Sequence, residues 1–402
     1  MIKFLIALLL FLPTTCFFGS IAYLLFVPIF IFLYRKELFN FIRRFFEKPF
    51  QSIYVRSLWL VLFLLIGIGL NAFLGSNLYY VFMSGTFLLI PLTILTAYIV
   101  ADRTVYRFLL LFIAIEIVFG VLEYAVGANS LFTSLPKHKL FTTYSSLYKT
   151  RVFGLSANSS FLAQKCLLGF LMIYFVDLKL KTSQLINLFL ILITGIILTF
   201  GRTVLVVIML SLFLYLLFYL YNHFKKSDYF QINMNKVLFF NTIFFIFVIL
   251  LTIPFWNKQF NRKGLAPHEI DKSQGTEVLE KAGIGNVEMA GRRELWGKAI
   301  DFIIDNPLSG NYSRRFLVDN IHIHNSFLEF LSTHGVILFT IMFVFIILNI
   351  NITNFIFLGM ILMYSLGQFG VFWNISFLDI VFMSMLLFSD KIINPKKYET
   401  NI

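Results

Sequence analysis

Apolar runs of about the length that crosses a lipid bilayer recur along the whole chain, and they constrain its fold more than any other feature. A helix that spans the hydrocarbon layer needs about 20 predominantly apolar residues. Of this chain's residues 59% are hydrophobic and 13% are charged, whereas a soluble domain carries about 25% charged residues. The sequence therefore predicts an all-α integral membrane protein that forms one polytopic domain over residues 1–402.

Twelve segments are predicted to span the membrane. They are residues 2–17, 19–34, 57–74, 78–99, 106–126, 161–177, 185–200, 204–221, 237–255, 335–349, 355–369 and 376–388. The first run has the composition of a signal peptide, but no A-x-A-like cleavage site follows it and a second apolar run begins at once. We therefore interpret it as a retained helix. Cys16 and Cys166 lie within apolar runs, which favours packing roles over a disulfide.

The distribution of Lys and Arg predicts the orientation of these spans, because cytoplasmic loops carry an excess of both residues. The basic residues that fall on one side are Arg35, Lys36, Arg43, Arg44, Lys48, Arg56, Arg103, Arg107, Lys179, Lys181, Lys225, Lys226, Lys236, Lys391, Lys396 and Lys397. This arrangement predicts that both termini are cytoplasmic. The net charge of +13 then reflects the orientation of the spans and not an acidic partner.

Two loops are predicted to lie outside, at residues 127–160 and 256–334. The second is the largest polar segment of the chain. Residues 256–325 contain ten Lys or Arg and nine Asp or Glu, so the loop is nearly neutral and lacks the basic patch that nucleic-acid binding requires.

Inside the large loop, the stretch GRRELWGKAIDFIIDNP at 291–307 predicts a helix. Gly291 is a candidate N-cap, and Asn306-Pro307 ends the helical pattern. The apolar face of this helix consists of Trp296, Ala299, Ile300 and Ile303. The large outer loop is therefore predicted to contain helical structure between the ninth and tenth spans.

Arg292 and Arg293 occupy the first turn of this predicted helix, where the helix dipole disfavours a cation. An anion bound at this end would compensate, because backbone N–H groups and a guanidinium group could then converge on one phosphate. A solvated pair of arginines is the alternative interpretation, and the spacing alone does not decide between them.

Arg202 stands between two spans, with only Gly201 and Thr203 to form a connection. A lone arginine at the outer membrane edge opposes the charge bias and costs insertion energy. Its side chain could reach lipid phosphate at the surface. Alternatively, it faces a cavity and holds an anionic group there.

Three further charged residues accompany the first outer loop. Arg151 lies a few residues before the sixth predicted span, and Glu116 and Glu123 lie on one face of the fifth. Carboxylates are costly inside a membrane unless they are paired or hydrated. We predict a structural ion pair for Glu116, and Glu123 is placed to hold an arginine.

Three histidines lie in the stretch IHIHNSFLEFLSTHGV at 321–336. His322 and His324 alternate as in an extended strand, and a helix is predicted from Asn325 onward. A zinc site that also uses His334 is one interpretation, but no carboxylate or cysteine completes a ligand set, so we expect no metal. A single imidazole beside arginines suits proton transfer better.

The residues singled out above resemble the O-antigen ligase family, which also includes O-antigen polymerases and protein O-oligosaccharyltransferases. The resemblance is carried by Gly201-Arg202-Thr203, by Gly291-Arg292-x-x-x-Trp296 followed by Asn306-Pro307-Leu308-Ser309-Gly310, and by His324-Asn325 with Gly335 ten residues after the asparagine. Arg151, Gly154 and Asn158 form a weaker element. Ala157 departs from the family pattern, where proline is expected, and Leu338 stands where a small residue is expected.

The resemblance implies a metal-independent glycosyltransferase of the bacterial inner membrane that uses no cofactor and acts on the periplasmic face. Its donor would be a glycan on undecaprenyl pyrophosphate, and its acceptor a hydroxyl of lipid A–core. The implied catalytic residues are His324, Arg292 and Arg202. The implied substrate-binding residues are Arg151, Arg293, Trp296 and Asn325.

Two alternatives remain open. An O-antigen polymerase would perform the same donor chemistry with a lipid-linked repeat unit as acceptor. A membrane transporter or flippase would suit the length and span count, but such carriers tend to show internal repeats and polar sites at the bilayer midplane. Here the polar residues collect at the outer edge of the predicted spans, which favours an enzyme.

Overall fold

The computed structural model describes residues 2–18, 28–29, 31–47, 53–75, 90–127, 131–132, 151–176, 178–199, 201–226, 230, 232–251, 292–318, 322–368, 370–372 and 376–393. Over these residues the regular structure is helical, apart from isolated bridge residues such as the antiparallel pair Thr15 and Ser156. The all-α prediction is confirmed. The predicted spans at 19–34, 78–99 and 237–255 lie partly outside the described residues. So do most of the predicted loop 127–160 and about half of the predicted loop 256–334, including the predicted N-cap Gly291.

The helices are α1 Ile2–Phe11, α2 Arg35–Glu47, α3 Ile53–Leu74, α4 Ile90–Val100, α5 Arg103–Val126, α6 Ser159–Phe175, α7 Thr182–Thr199, α8 Arg202–Lys225, α9 Lys236–Leu251, α10 Arg292–Asp305, α11 Ser326–Asn349, α12 Phe355–Gly367 and α13 Phe377–Ile393. A 3₁₀ turn, Leu12–Thr14, follows α1. α5, α7, α8 and α11 are long and apolar enough to cross a membrane, and several shorter apolar helices accompany them. This pattern agrees with a multi-pass membrane protein, while the count of twelve spans stays a prediction.

α11 bends sharply at Gly335, whose backbone angles are φ 82 and ψ 173. The rings of Phe327 and Phe339 have centroids 6.4 Å apart. Twelve residues of straight helix would advance by about 18 Å, so these rings can meet only across a bend. α11 therefore consists of two helical parts, residues 326–334 and 336–349. The second part coincides closely with the predicted tenth span.

The main core extends through most of the bundle and includes many buried side chains of α5, α6, α7, α8 and α13. The close approach of α6 and α7 relies on glycine, because a Cβ on Gly195 would lie 2.7 Å from Sγ of Cys166. Cys16 and Cys166 are both buried and neither forms a disulfide, which agrees with the predicted packing roles.

A buried ion pair crosses this core and confirms the role predicted for Glu116. The Nζ of Lys165 lies 2.7 Å and 2.9 Å from the two carboxylate oxygens of Glu116. The Oγ of Ser156 donates a hydrogen bond of 2.6 Å to the same carboxylate. Ion pairing and hydrogen bonding together offset the cost of removing both charges from water. They also hold the chain after Arg151 against α5 and α6.

Candidate active site

α10 forms where the sequence predicts it, and a small apolar cluster attaches it to the histidine segment. The helix spans Arg292–Asp305 and ends at the predicted Asn306-Pro307. Of the predicted apolar face, Trp296 and Ala299 belong to a cluster with Leu295, Val318, Ile323, Phe316 and Leu328, whereas Ile300 and Ile303 lie outside it and are half-buried. The indole Nε1 of Trp296 donates a hydrogen bond of 2.9 Å to the carbonyl of Ile323. The residue between the two histidines is thus fixed to α10.

The segment after α10 contacts the bend of α11 backbone to backbone. The amide of Val336 donates to the carbonyl of Pro307 at 2.8 Å. Gly310 and Gly335 both adopt positive φ, and a Cβ on Gly335 would lie only 2.0 Å from the carbonyl oxygen of Leu308. The backbone of residues 307–310 thus packs directly on the backbone at Gly335, so each of these two segments fixes the position of the other.

His334 lies inside this contact and has a structural environment. Its side chain is buried, and its Nδ1 lies 3.0 Å from Oγ of Ser313. The side-chain amide of Asn71, near the end of α3, donates to the carbonyls of His334 and Ser309 at 2.9 Å and 3.2 Å. Asn71 thus ties both sides of the contact to α3, a role that the sequence pattern did not reveal.

Arg292 reaches from the first turn of α10 to the end of α12. Its Nη1 donates a hydrogen bond of 2.5 Å to the carbonyl of Gly367. A Cβ on Gly367 would lie 3.1 Å from Cγ2 of Thr203, so the first turn of α8 also adjoins Gly367. The backbone of Arg202 therefore lies near Arg292, although the Arg202 side chain is outside the part of the structure that is described.

His324 does not continue an extended strand, which corrects the predicted alternation with His322. Its φ is 56, in the left-handed region, where it costs a residue with a side chain about 1 kcal/mol. The chain must turn here because Ile323 is buried in the apolar cluster and Asn325 begins the cap of α11. The Oδ1 of Asn325 accepts hydrogen bonds from the amides of Phe327 and Leu328.

The surroundings of His324 favour its neutral form. Burial, then the positive charge of Arg292, then His322 lower the pKa of the His324 imidazole from 6.5 to about 4. A neutral imidazole can accept a hydrogen bond or a proton from a hydroxyl group. The influence of Arg292 on this pKa also indicates that the two predicted catalytic residues are close in space.

A buried carboxylate, that of Glu329, lies next to the segment that carries His322 and His324. Its Oε1 lies 3.0 Å from Nε of Arg315 and 3.6 Å from Nδ1 of His322. Neither Glu329 nor Arg315 was predicted as a site residue from the sequence. The available signal was a carboxylate one helical turn beyond Asn325, on a helix that begins beside two histidines. Among the described residues, no three His, Cys, Asp or Glu side chains are grouped so that they could hold a metal ion.

The described residues 151–160 of the predicted first outer loop lie at the same end of the bundle. The amide of Val152 donates to the carbonyl of Leu198 at 3.2 Å, so Arg151 adjoins the end of α7. This end of α7 is followed within three residues by Arg202. Glu123 does not behave as expected: its carboxylate accepts hydrogen bonds from the amides of Phe153, Gly154 and Leu131. In the described parts of the chain, Glu123 thus holds the backbone beside Arg151 and forms no ion pair with an arginine.

Arg293, the other predicted substrate-binding arginine, is half-buried in the first turn of α10 beside Arg292. The N-terminal ends of α8, α10 and α11 thus lie near the end of α12: Thr203 and Arg292 adjoin Gly367, and Ser326 donates to the carbonyl of Gln368 at 3.4 Å. Helix N-termini carry partial positive charge. This region can therefore receive an anion, with a neutral imidazole beside it.

A comparison with known protein families covers most of the residues that form this region. Residues 187–343 match the family described as O-antigen ligase, so the resemblance found in the sequence is confirmed over that part of the chain. The match includes Arg202, Arg292, His324 and Gly335, and it excludes Arg151. No curated protein and no solved structure matched the chain.

Proposed function

We propose that this chain is a metal-independent glycosyltransferase that moves a glycan from undecaprenyl pyrophosphate to a hydroxyl of lipid A–core, as an O-antigen ligase. One observation carries the proposal: Arg292 and the N-terminus of α8 adjoin Gly367, and Arg292 is close enough to His324 to lower its pKa. The family match over residues 187–343 supports this class of reaction.

The leaving group explains the need for arginines. When the acceptor hydroxyl attacks the anomeric carbon, the bond to the lipid pyrophosphate breaks and negative charge develops on its oxygen. Fixed cations stabilise such charge most where it forms. Arg292 and Arg202 serve this role in the proposal, and Arg151 and Arg293 bind the more distant phosphate or glycan groups. Four guanidinium groups would make a divalent cation unnecessary.

The acceptor hydroxyl explains the need for His324. In the free protein burial and then Arg292 disfavour a proton on His324, so the imidazole is neutral but only weakly basic. A bound pyrophosphate would neutralise Arg292 and raise the pKa of His324. The imidazole would then become a stronger base only when donor is present, which would couple proton abstraction to a loaded site.

Trp296 and Asn325 have a different role in this proposal from the substrate contacts predicted for them. The indole N–H of Trp296 is used by the Ile323 carbonyl, and the Asn325 side chain caps α11. Both residues therefore position His324, and substrate contacts come from the arginines.

The proposed orientation has twelve spans, cytoplasmic termini and an active site on the periplasmic face of the inner membrane. It is supported by the alternation of Lys and Arg along the chain. Arg202, Arg292 and His324 then all belong to the outer end of the bundle, where lipid-linked glycans and lipid A–core would meet.

Purified protein in nanodiscs tests this function directly. With undecaprenyl-pyrophosphate-linked glycan and lipid A–core, we expect glycan-bearing lipid A–core to form in the presence of EDTA. Joining of repeat units on the lipid carrier, with no transfer to lipid A–core, would identify a polymerase instead. Activity that is lost in EDTA and restored by one metal would contradict the metal-independent mechanism, and absence of any transfer would contradict the function.

A further inference from the structure

α2 is an amphipathic helix outside the proposed active site. It contains 13 residues, of which six are charged. A helix of this length extends for about 20 Å, which is short of the ~30 Å hydrocarbon layer. Its length and charge therefore exclude a membrane-spanning role.

One side of α2 exposes large apolar side chains. At about 100° per residue, Phe39, Ile42 and Phe46 share an arc of roughly 60°. Their exposed fractions are 66%, 43% and 74%. Leu38 adjoins this arc on one flank and is buried in the main core, so α2 is attached to the bundle along that flank.

The opposite flank of the apolar arc is polar and contains two cations and one carboxylate. Lys36, Asn40, Arg43 and Glu47 share an arc of roughly 60°, centred about 100° from the apolar one, and all four residues are exposed. The Nε of Arg43 lies 2.6 Å from Oε1 of Glu47. Residues 35–48 contain five basic and two acidic residues, so the segment as a whole is positively charged.

We propose that α2 lies in the plane of the membrane surface and binds anionic phospholipids. Around the helix, protein contact gives way to exposed apolar side chains, with Arg35 among them at the helix start, and then to a polar arc that includes Lys36 and Arg43. This is the order that a helix at the flank of a bundle meets in an interface. Phe39, Ile42 and Phe46 enter the acyl region of one leaflet, and Lys36 and Arg43 meet anionic headgroups.

Spin labels on the full-length protein test the position of α2. In a Cys16→Ala, Cys166→Ala background, labels at Phe39→Cys and Phe46→Cys should collide frequently with oxygen and rarely with a water-soluble nickel complex. A label at Asn40→Cys, on the polar arc, should show the reverse, with the ratio of collision rates several-fold lower. Low access to both reagents at positions 39 and 46 would mean that protein covers them, and high nickel access would mean water; either result would overturn the proposal.

The lipid selectivity needs a second comparison. The label at position 46 should lie deeper in vesicles that contain phosphatidylglycerol than in pure phosphatidylcholine, and added salt should reduce the difference. The double variant Lys36→Gln, Arg43→Gln should remove the difference while the apolar arc stays intact. Equal depth of the position-46 label in both lipids, in the protein that keeps Lys36 and Arg43, would overturn the assignment of anionic headgroups.

Discussion

The indole Nε1 of Trp296 donates a hydrogen bond of 2.9 Å to the carbonyl of Ile323, and this contact joins α10 to the segment that carries His322 and His324. Ile323 is fully buried, so its carbonyl has little access to water as a replacement partner. Because Arg292 begins α10, the same contact helps to fix the distance between an arginine and a histidine that we propose as catalytic.

Trp296→Phe should therefore reduce transfer although Trp296 makes no substrate contact in our account. The variant keeps an aromatic ring in the apolar cluster but leaves a buried carbonyl unsatisfied, at a cost of about 1–3 kcal/mol. We expect a lower kcat with donor affinity largely kept, measured by transfer kinetics and donor binding. Trp59→Phe, a change in α3 away from the site, is the matched control. A purely weaker donor affinity would instead favour direct substrate contact by Trp296.

The arginine variants test how the leaving group is stabilised. Arg292→Ala and Arg202→Ala should each lower the transfer rate by about 10²–10³-fold with unchanged protein levels, because each removes a fixed cation from the developing charge. Lysine should restore little if the contact is bidentate, since an ammonium group lacks the guanidinium fork. Arg293→Ala should be tolerated better. Full activity of Arg292→Ala together with loss of activity in Arg293→Ala would assign the stabilisation of the leaving group to Arg293 and contradict the role of Arg292.

Gly335 should be intolerant of a side chain. In Gly335→Ala the new Cβ would approach the Leu308 carbonyl, and the positive φ adds strain, so we expect a loss of about 2 kcal/mol or more in stability. Thermal unfolding in detergent measures it. Gly359→Ala in α12 is the matched control, because a Cβ there meets nothing within 4 Å. Equal melting temperatures for the two variants would contradict the described packing at the bend.

Sequence reasoning predicted those features that depend on local patterns. The bounds of α10 followed from its apolar period and from Asn306-Pro307, and the ion pair of Glu116 followed from the cost of a carboxylate in an apolar span. The partners of Glu123 and Glu329 could not be predicted, because they depend on how separate segments pack, although the position of Glu329 one helical turn beyond Asn325 was itself a signal. The left-handed conformation of His324 likewise results from the burial of Ile323, which alternation alone cannot reveal.

The orientation of the spans can be tested by thiol labelling in intact spheroplasts. Both native cysteines are buried, so an introduced cysteine provides the signal. Asp301→Cys, on the exposed side of α10, should react with a membrane-impermeant reagent, and Lys226→Cys, after α8, should react only after lysis. The reverse pattern would move the proposed site to the cytoplasmic face.

The pH dependence of transfer follows from the environment of His324. Its pKa is lowered to about 4 in the free protein, so the imidazole stays neutral above that value and becomes protonated below it. Kinetics at low donor concentration, expressed as kcat/KM, should therefore be flat near neutral pH and fall as the pH drops towards 4. The fall in kcat, where donor is bound, should begin at a higher pH because pyrophosphate offsets Arg292.

The most direct measurement compares donor binding and glycan transfer in His324→Ala. Loss of a general base typically costs about 10²–10⁴-fold in rate, so this variant should be nearly inactive yet bind lipid-linked donor with almost unchanged affinity, because the arginines hold the pyrophosphate. His322→Ala, two residues away, and His223→Ala, at the far end of α8, should keep most activity. His324→Gln should bind donor and transfer poorly, since an amide orients a hydroxyl without taking its proton. Loss of donor binding in His324→Ala, or wild-type transfer by His324→Gln, would contradict the role that we assign to this histidine.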